Sequence, residues 1–276
     1  MRKKHRWILP VLAILVVLAL IALDERLILR TYTVASPKLT AEVRLAVVTD
    51  FHSSDNADDV AAMVASCAPD AVLLVGDLFD DDTQNRPTER TLSLMRQLSA
   101  QHPCYYVSGN HEAWTGEMDA LYQQTEDAGV TVLRMSSGVL TVRGQRIALC
   151  GIPDPYEMVF SGAPDTEEQL RQVLEQVDSA DFTVLLAHRP ELLAKYAQFP
   201  LDLVVSGHAH GGQVRIPGVL NGLYAPNQGW FPKLAGGAYA QDGTTLIVSR
   251  GLAVRTRLPR IFNRPEVVLV RCVPAE

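Results

Sequence analysis

Five of the seven histidines in this 276-residue chain belong to one ordered set of polar residues. The set is Asp50-Phe51-His52, Gly76-Asp77, Gly109-Asn110-His111-Glu112, His188 and Gly207-His208-Ala209-His210; only His5 and His102 lie outside it. Imidazole, carboxylate and amide oxygen together suit borderline or hard divalent ions such as zinc, iron and manganese, whereas thiolate-rich sites select softer ones. Asp-x-His and His-x-His each place two ligands on nearby backbone positions at a strand end or turn. An aspartate that bridges two ions sets them roughly 3.5–4 Å apart, which generates a hydroxide near neutral pH and clamps a phosphoryl group. Taken singly, Asp-x-His is common in solvated loops and Gly-Asp in turns. The ordered occurrence of every block is what reads as a two-metal hydrolytic centre.

The elements that must position these residues follow a β–α rhythm. Short apolar runs at 45–49, 71–75, 104–107, 182–187 and 201–205 have the character of buried strands. Each stops at a member of the set: Asp50, Asp77, Asn110, His188 and His208. In α/β sheets, sites form at the carboxyl ends of strands. Between them, helical spacing predicts helices over 58–68, 87–100, 117–128, 166–177 and 191–197. Further strands are expected at 130–133, 138–142, 146–150, 244–248 and 267–270.

Composition bounds the rest. With 47% hydrophobic and 20% charged residues the chain is ordinary globular material. Residues 1–30 hold six cations against two acids, a net of +4 within an overall −6, so the remainder carries −10. An acidic globular part repels a phosphate backbone, and no nucleic-acid partner is expected. The four cysteines form no Cys-x-x-Cys pair, and buried, unpaired thiols are the expectation. Arg2-Lys3-Lys4-His5-Arg6 precedes an uncharged apolar stretch, 7–23, broken only by Pro10. At about 1.5 Å per residue it reaches roughly 25 Å, near the lower limit for a membrane-spanning helix. Small residues at the spacing of a signal-peptidase site are missing, since Ala19 and Ala22 are three apart, which favours an uncleaved anchor over a cleaved leader. The expected organisation is a cytoplasmic basic N-terminus (1–6), a transmembrane anchor (7–23), a linker with a first strand (24–40) and a catalytic domain (41–276). The basic flank places the N-terminus in the cytoplasm and the domain outside it, on a single-pass cell-membrane protein.

The series of blocks resembles the calcineurin-like metallophosphoesterase superfamily, whose pattern is Asp-x-His, Gly-Asp, Gly-Asn-His-Asp/Glu, His, Gly-His-x-His. The likeness runs from about Arg44 to the C-terminus. The run Gly207 to Pro217, the Ser249-Arg250-Gly251 block and the N-terminal anchor are similar to membrane-anchored bacterial phosphodiesterases related to UDP-2,3-diacylglucosamine hydrolases. Ala253 stands where that subgroup often has glycine. The resemblance implies an α/β fold, a four-layer αββα sandwich with two mixed sheets. It implies two divalent ions (Mn, Zn or Fe), with Asp50, His52 and His210 on one, Asn110, His188 and His208 on the other, and Asp77 bridging. It further implies a metal-bound hydroxide as nucleophile and His111 as the catalytic group that stabilises the transition state or protonates the leaving oxygen, with Glu112 as an orienting partner.

The implied reaction is hydrolysis of a phosphodiester or pyrophosphate bond, in a lipid-linked or nucleotide-sugar substrate such as UDP-2,3-diacylglucosamine. A phosphomonoesterase or phosphoprotein phosphatase, and a metal-binding scaffold without chemistry, are the alternatives. Arg189, Arg215 and Arg250 adjoin or follow motifs and could receive a phosphate. Trp230-Phe231-Pro232 could touch lipid or form a loop core. Arg255, Arg257, Arg260 and Arg264 could face anionic headgroups or solvent.

Overall fold

Strands made only of apolar residues need cover on both faces, and this chain supplies it with two sheets and two layers of helices. The computed structural model describes residues 8–162, 164–254 and 258–275. In chain order the elements begin with α1 (Ile8–Ala22), β1 (Ile28–Ser36), β2 (Val43–Val48), α2 (Ala57–Ser66) and β3 (Ala71–Val75). They continue with α3 (Thr88–Ser99), β4 (Cys104–Val107), α4 (Asn110–Trp114), α5 (Met118–Asp127), β5 (Thr131–Val132), β6 (Ser136–Val142) and β7 (Gln145–Gly151). Then follow α6 (Pro155–Ser161), α7 (Thr166–Leu174), β8 (Phe182–Leu186), α8 (Leu193–Tyr196) and β9 (Leu203–Ser206). A small hairpin, β10 (Tyr224–Ala225) and β11 (Gly229–Trp230), precedes β12 (Gly237–Gln241), β13 (Thr244–Val248) and β14 (Glu266–Pro274).

One six-stranded sheet has the order β1-β14-β2-β3-β4-β5, the other β12-β13-β9-β8-β7-β6. Both are mixed. β2 to β5 run parallel with β14 antiparallel beside β2. In the second sheet β7, β8, β9 and β13 run parallel between antiparallel β6 and β12. Alternation along each strand divides the core into three layers. Leu45, Val47 and Leu73 enter the space between the sheets with Val184, Leu186 and Val205. Ala46 and Val48 face outward onto Val60 and Val64 of α2 and Met95 of α3. On the far side Leu185 and Val204 meet Leu170 and Val173 of α7 and Tyr196 of α8. The four-layer sandwich is the expected architecture, and all four cysteines are free and buried within it.

Several boundaries and one element differ from expectation. The helix expected over 166–177 begins at Thr166, where the Asp165 side chain caps it by accepting from the Glu167 and Glu168 N–H groups at 3.0 Å, but it ends at Leu174. The helix expected over 191–197 is split into a 3₁₀ turn (Pro190–Leu192) and α8. The short helix α6 was not expected, although Asp154 caps it and Pro155 occupies its first turn. The transmembrane anchor expected at 7–23 is not supported as a spanning helix among the described residues. Residues 1–7, and with them the basic N-terminus, lie outside the described residues, and α1 has 15 residues, about 22 Å at 1.5 Å per residue. That is short of a hydrocarbon core of about 30 Å. Among the described residues no helix is long and apolar enough to cross a membrane. Pro10 sits in the first turn of α1, where a missing N–H costs nothing. The linker contains β1, paired in parallel with β14 along its whole length.

Leu73 is fully buried between the sheets. Leu73→Ala is expected to lower stability by about 2–5 kcal/mol. Val139→Ala, on the exposed side of β6, should change it by no more than about 0.5 kcal/mol. Urea unfolding followed by circular dichroism measures both, and equal losses would place the core elsewhere.

Candidate metal centre

The set gathers at one seam. Carboxyl ends of β2, β3 and β4 from the first sheet meet those of β8 and β9 from the second, and the loops that leave them carry Asp50, Asp77, Asn110, His188 and His208. The backbone pays in strain for the convergence. Asp50, His52, Asp77, His208 and His210 all have positive φ, between 45° and 64°. Asp and His tolerate this left-handed region better than bulkier residues, and such strain concentrates at functional sites. Two glycines make the close approaches possible. A Cβ on Gly109 would overlap the Asp77 carboxylate, and one on Gly251, at φ +72°, would lie 2.6 Å from Asp50 Cβ.

Three-residue groups within 4.8 Å of one another form around two points: Asp50, His52 and His210, and Asp77, His188 and His208. All six are buried. Asp77 lies between the points, with Oδ2 3.0 Å from His188 Nε2 and 3.9 Å from His52 Nε2. Asn110 opens α4, and its Oδ1 is buried without a hydrogen-bond partner. The same holds for His52 Nε2, which lies near Asp77. An orphaned polar atom costs roughly 1–3 kcal/mol, and orphaned atoms of Asn110 and His52 beside the buried Asp50 and Asp77 carboxylates fit a cation. The residues present therefore suit two divalent ions.

The opposite face of most rings is held. His52 Nδ1 meets Asp80 Oδ2 at 3.1 Å, and His188 Nδ1 donates to the Val75 carbonyl at 2.8 Å. His208 Nε2 lies 2.8 Å from Asn227 Oδ1 and 2.9 Å from Arg189 Nη1, which leaves Nδ1 as its free nitrogen. Such contacts fix the tautomer and orientation of ligating histidines. Electrostatics agree. Burial, with help from Arg189, holds His208 well below the usual histidine value, and burial with His52 does the same for His210. Burial also opposes charge on His188, yet Asp77 and Asp50 overcome it and push its pKa up to about 10. Burial raises Asp50. For Asp77 the burial penalty is outweighed by His188, His111 and His52, which hold it well below the carboxylate range. A nest that binds a proton this tightly binds a divalent cation for the same reason.

His111 stands apart. Its side chain remains 25% exposed, so it faces the substrate side, and its Nδ1 lies 2.5 Å from Asp81 Oδ1. Its backbone N–H donates to Asp77 Oδ1 at 2.8 Å. Burial disfavours its charge, but Asp77, Asp81 and Asp80 raise its pKa above the ordinary value. The ring packs at 4.3 Å from that of His52 and 4.8 Å from that of Trp114. Glu112 was expected to orient His111, but Asp81 holds that ring instead. The Glu112 carboxylate instead accepts from the N–H groups of Asp77, Leu78, Phe79 and Gly109 at 2.7–3.0 Å, binding two loops together. Burial beside Asp77 pushes its pKa up to about 7.

The arginines depart from expectation. Arg189 is buried, paired through two nitrogens with Asp154, hydrogen-bonded to Asn227 and stacked over Tyr156 at 5.2 Å. It positions His208 and is not free to receive a phosphate. Arg250 is buried against Glu266 and lines a different cavity, with Arg30 and Arg215. Arg260, expected at a headgroup or solvent face, is fully buried and donates to the carbonyls of Ala253, Arg250 and Gly251. Arg264 pairs with Asp24, while Arg255 and Arg257 lie outside the described residues. Trp230 and Phe231 are two-thirds exposed, which rules out a loop core. Asp80, Asp81, Asp154 and Asn227 were not foreseen. The acidic run after Gly76-Asp77 was a readable signal for the first two; Asn227, in a Gly/Pro-rich loop, offered none.

The model of the calcineurin-like phosphoesterase family matches residues 43–212, more than half of the chain. The chain is 28% identical over 227 residues to YkuE of Bacillus subtilis, an uncharacterised metallophosphoesterase, covering 80% of this chain and 74% of that protein. It is 28% identical over 219 residues to the phosphodiesterase YaeI of Escherichia coli, covering 78% and 74% respectively. Among solved structures, TT1561 of Thermus thermophilus superposes with a TM-score of 0.53 at 14% identity, over 78% of this chain and 92% of that one, a likeness of fold. The strand-end ligand clusters and the family match agree: this chain belongs to the calcineurin-like phosphoesterases and is a metal-dependent phosphoester hydrolase.

Proposed function

We propose that the enzyme cleaves a phosphodiester or pyrophosphate bond, with Asp50, His52 and His210 holding one ion, Asn110, His188 and His208 the other, and Asp77 both. The observation that carries this assignment is the pair of buried clusters, Asp50-His52-His210 and Asp77-His188-His208, each with its ligand atoms within 4.8 Å of one another, beside the unpartnered Asn110 Oδ1. Two divalent ions, when bound, supply Lewis acidity, an activated water and neutralising charge for the phosphoryl oxygens. The chain's own residues do the rest. Asp80, the Val75 carbonyl and Asn227 hold the imidazoles of His52, His188 and His208 in fixed orientations. His111, its pKa raised by Asp77, Asp81 and Asp80 and its side chain open to substrate, is placed to deliver a proton from Nε2 to the departing oxygen. A centre serving only as a scaffold has no use for a raised, exposed histidine beside its ligands, which favours the catalytic reading.

The substrate is proposed to be lipid-linked, of the kind represented by UDP-2,3-diacylglucosamine. Support comes from α1, which is uncharged and exposed over nearly its whole length and attaches the chain to a membrane in this reading. The cationic residues ahead of it would lie on the cytoplasmic side and the catalytic domain, from about residue 41, on the other.

Asp77→Asn is expected to lower turnover of bis(p-nitrophenyl) phosphate by more than about 100-fold while the circular dichroism spectrum stays unchanged. Undiminished turnover in that variant would falsify the metal assignment. Removing metal with a chelator should lower the melting temperature by about 5 °C or more, reversed by adding Mn or Zn, because the apo protein leaves two buried carboxylates unanswered. His111→Gln should lower kcat roughly 10²–10⁴-fold with metal content intact. The loss should be larger for alkyl leaving groups than for p-nitrophenolate, which needs no proton. Asp81→Asn removes a charge that raises His111, so the alkaline limb of the kcat/KM profile should move to lower pH. A limb that stays in place assigns that proton elsewhere.

A further inference from the structure

A cavity of about 470 Å³ opens away from the metal centre, and no residue of the ligand clusters lines it. Its polar wall is made of Arg30, Arg215 and Arg250, and its apolar wall includes Ile216, Val219 and Phe262. The only carboxylate paired with these arginines among the described residues is Glu266, which binds Arg250 and lies 3.9 Å from Arg30 Nε. Three guanidiniums against one carboxylate leave a surplus of two positive charges. Arg215 has only neutral partners, the Asn221 side chain and the Gly211 carbonyl. Burial and then the neighbouring Arg250 charge depress its pKa, so the cluster repels itself until an anion enters.

The position of the cavity matters as much as its charge. Phe262, on its wall, donates its N–H to the Ala22 carbonyl at 2.7 Å, the last residue of the apolar α1. Arg264 donates to the Arg26 carbonyl at 2.8 Å and lies 3.4 Å from Asp24, fixing the same junction. The cavity therefore opens where the apolar helix joins the domain. Its rim carries Val219, 81% exposed, and Ile216. The adjoining loop presents Trp230 and Phe231 and is tied back by the Phe231 N–H to the Leu223 carbonyl at 2.8 Å. Cationic depth beneath an apolar, aromatic rim matches a headgroup phosphate below acyl chains. A free phosphate ion gains nothing from that rim.

We propose that this cavity is a second phosphate-binding site, separate from the metal centre, which takes the headgroup of an anionic phospholipid and seats the domain against the bilayer. The proposal leans on the membrane attachment suggested above only for the source of the phosphate. Its test reads lipid retention, not hydrolysis, so it stands or falls apart from the catalytic assignment. The full chain is purified in a zwitterionic detergent and exposed to equal amounts of phosphatidylglycerol and phosphatidylcholine with matched acyl chains. Native mass spectrometry then counts the lipid retained. One phosphatidylglycerol per chain is expected, favoured roughly tenfold or more. Arg30→Glu, at a half-exposed strand position, and Arg215→Gln should each bring that preference close to unity. Asp77→Asn should leave it unchanged, and Arg30→Glu should keep wild-type diester turnover, which shows that it folds. Equal retention of the two lipids by the wild type overturns the proposal. So does a preference that survives in both arginine variants, or one abolished by Asp77→Asn. Retention of inorganic phosphate in place of phosphatidylglycerol, when both are offered, overturns the lipid as its source.

Discussion

Two carboxylates, Asp50 and Asp77, are buried where two sheets meet, and the fold is organised around that fact. A buried carboxylate without a counter-charge is costly, and no arginine or lysine pairs with either one among the described residues. The surrounding groups are histidines, four of which bring a lone pair or a shared proton, together with the Asn110 amide. Such a set is answered only by a cation. The cost of assembling it appears in the backbone, where five of the residues occupy left-handed conformations. It appears also in the glycines, since side chains at 109 and 251 would collide with these carboxylates.

Around the ligands runs a layer of residues that do no chemistry but determine which atom of each ring is offered. Asp80 takes His52 Nδ1, the Val75 carbonyl takes His188 Nδ1, and Asn227 takes His208 Nε2. Arg189 shows how far the layer extends. Held by Asp154, which also caps α6, it fixes Asn227 and so ties His208 to a helix on the rim. Glu112 performs the equivalent task for the Gly76-Asp77 turn by collecting four backbone N–H groups. A carboxylate that satisfies four buried donors locks two loops more tightly than packing alone.

The chain's sequence makes the ligands legible and their supports mostly not. Strand ends are visible because buried strands are continuous apolar runs and stop abruptly at Asp50, Asp77, His188 and His208. Long helices with one apolar side, α3 and α7, are visible for the same periodic reason. What escapes is contact between distant segments. Nothing near Asn227 announces that it will meet a histidine 19 positions earlier, and nothing near Arg189 announces Asp154. Arginines adjoining motifs invite assignment to substrate, but adjacency in sequence to a ligand places Arg189 deep in the supporting layer.

These placements bear on how an acidic protein meets an anionic substrate. The chain carries a net −6, and at the metal centre Arg189, which touches His208, is already bound to carboxylates. Neutralisation of a reacting phosphoryl group would therefore fall to the metal ions and His111, whose pKa Asp77, Asp81 and Asp80 raise against the penalty of burial. Uncommitted positive charge is concentrated elsewhere, at Arg30 and Arg215, on the side where α1 joins β1. The segment 249–251 separates the two regions: Gly251 packs against Asp50, and the side chain of Arg250 lines the cationic cavity. Arg260, buried beneath, donates to the carbonyls of both residues and so keeps the partition rigid. The metal centre and the cationic cavity thus draw on different charges on two sides of one short, braced segment, and the arginine that touches a ligand ring, Arg189, is itself answered by Asp154 and Glu191.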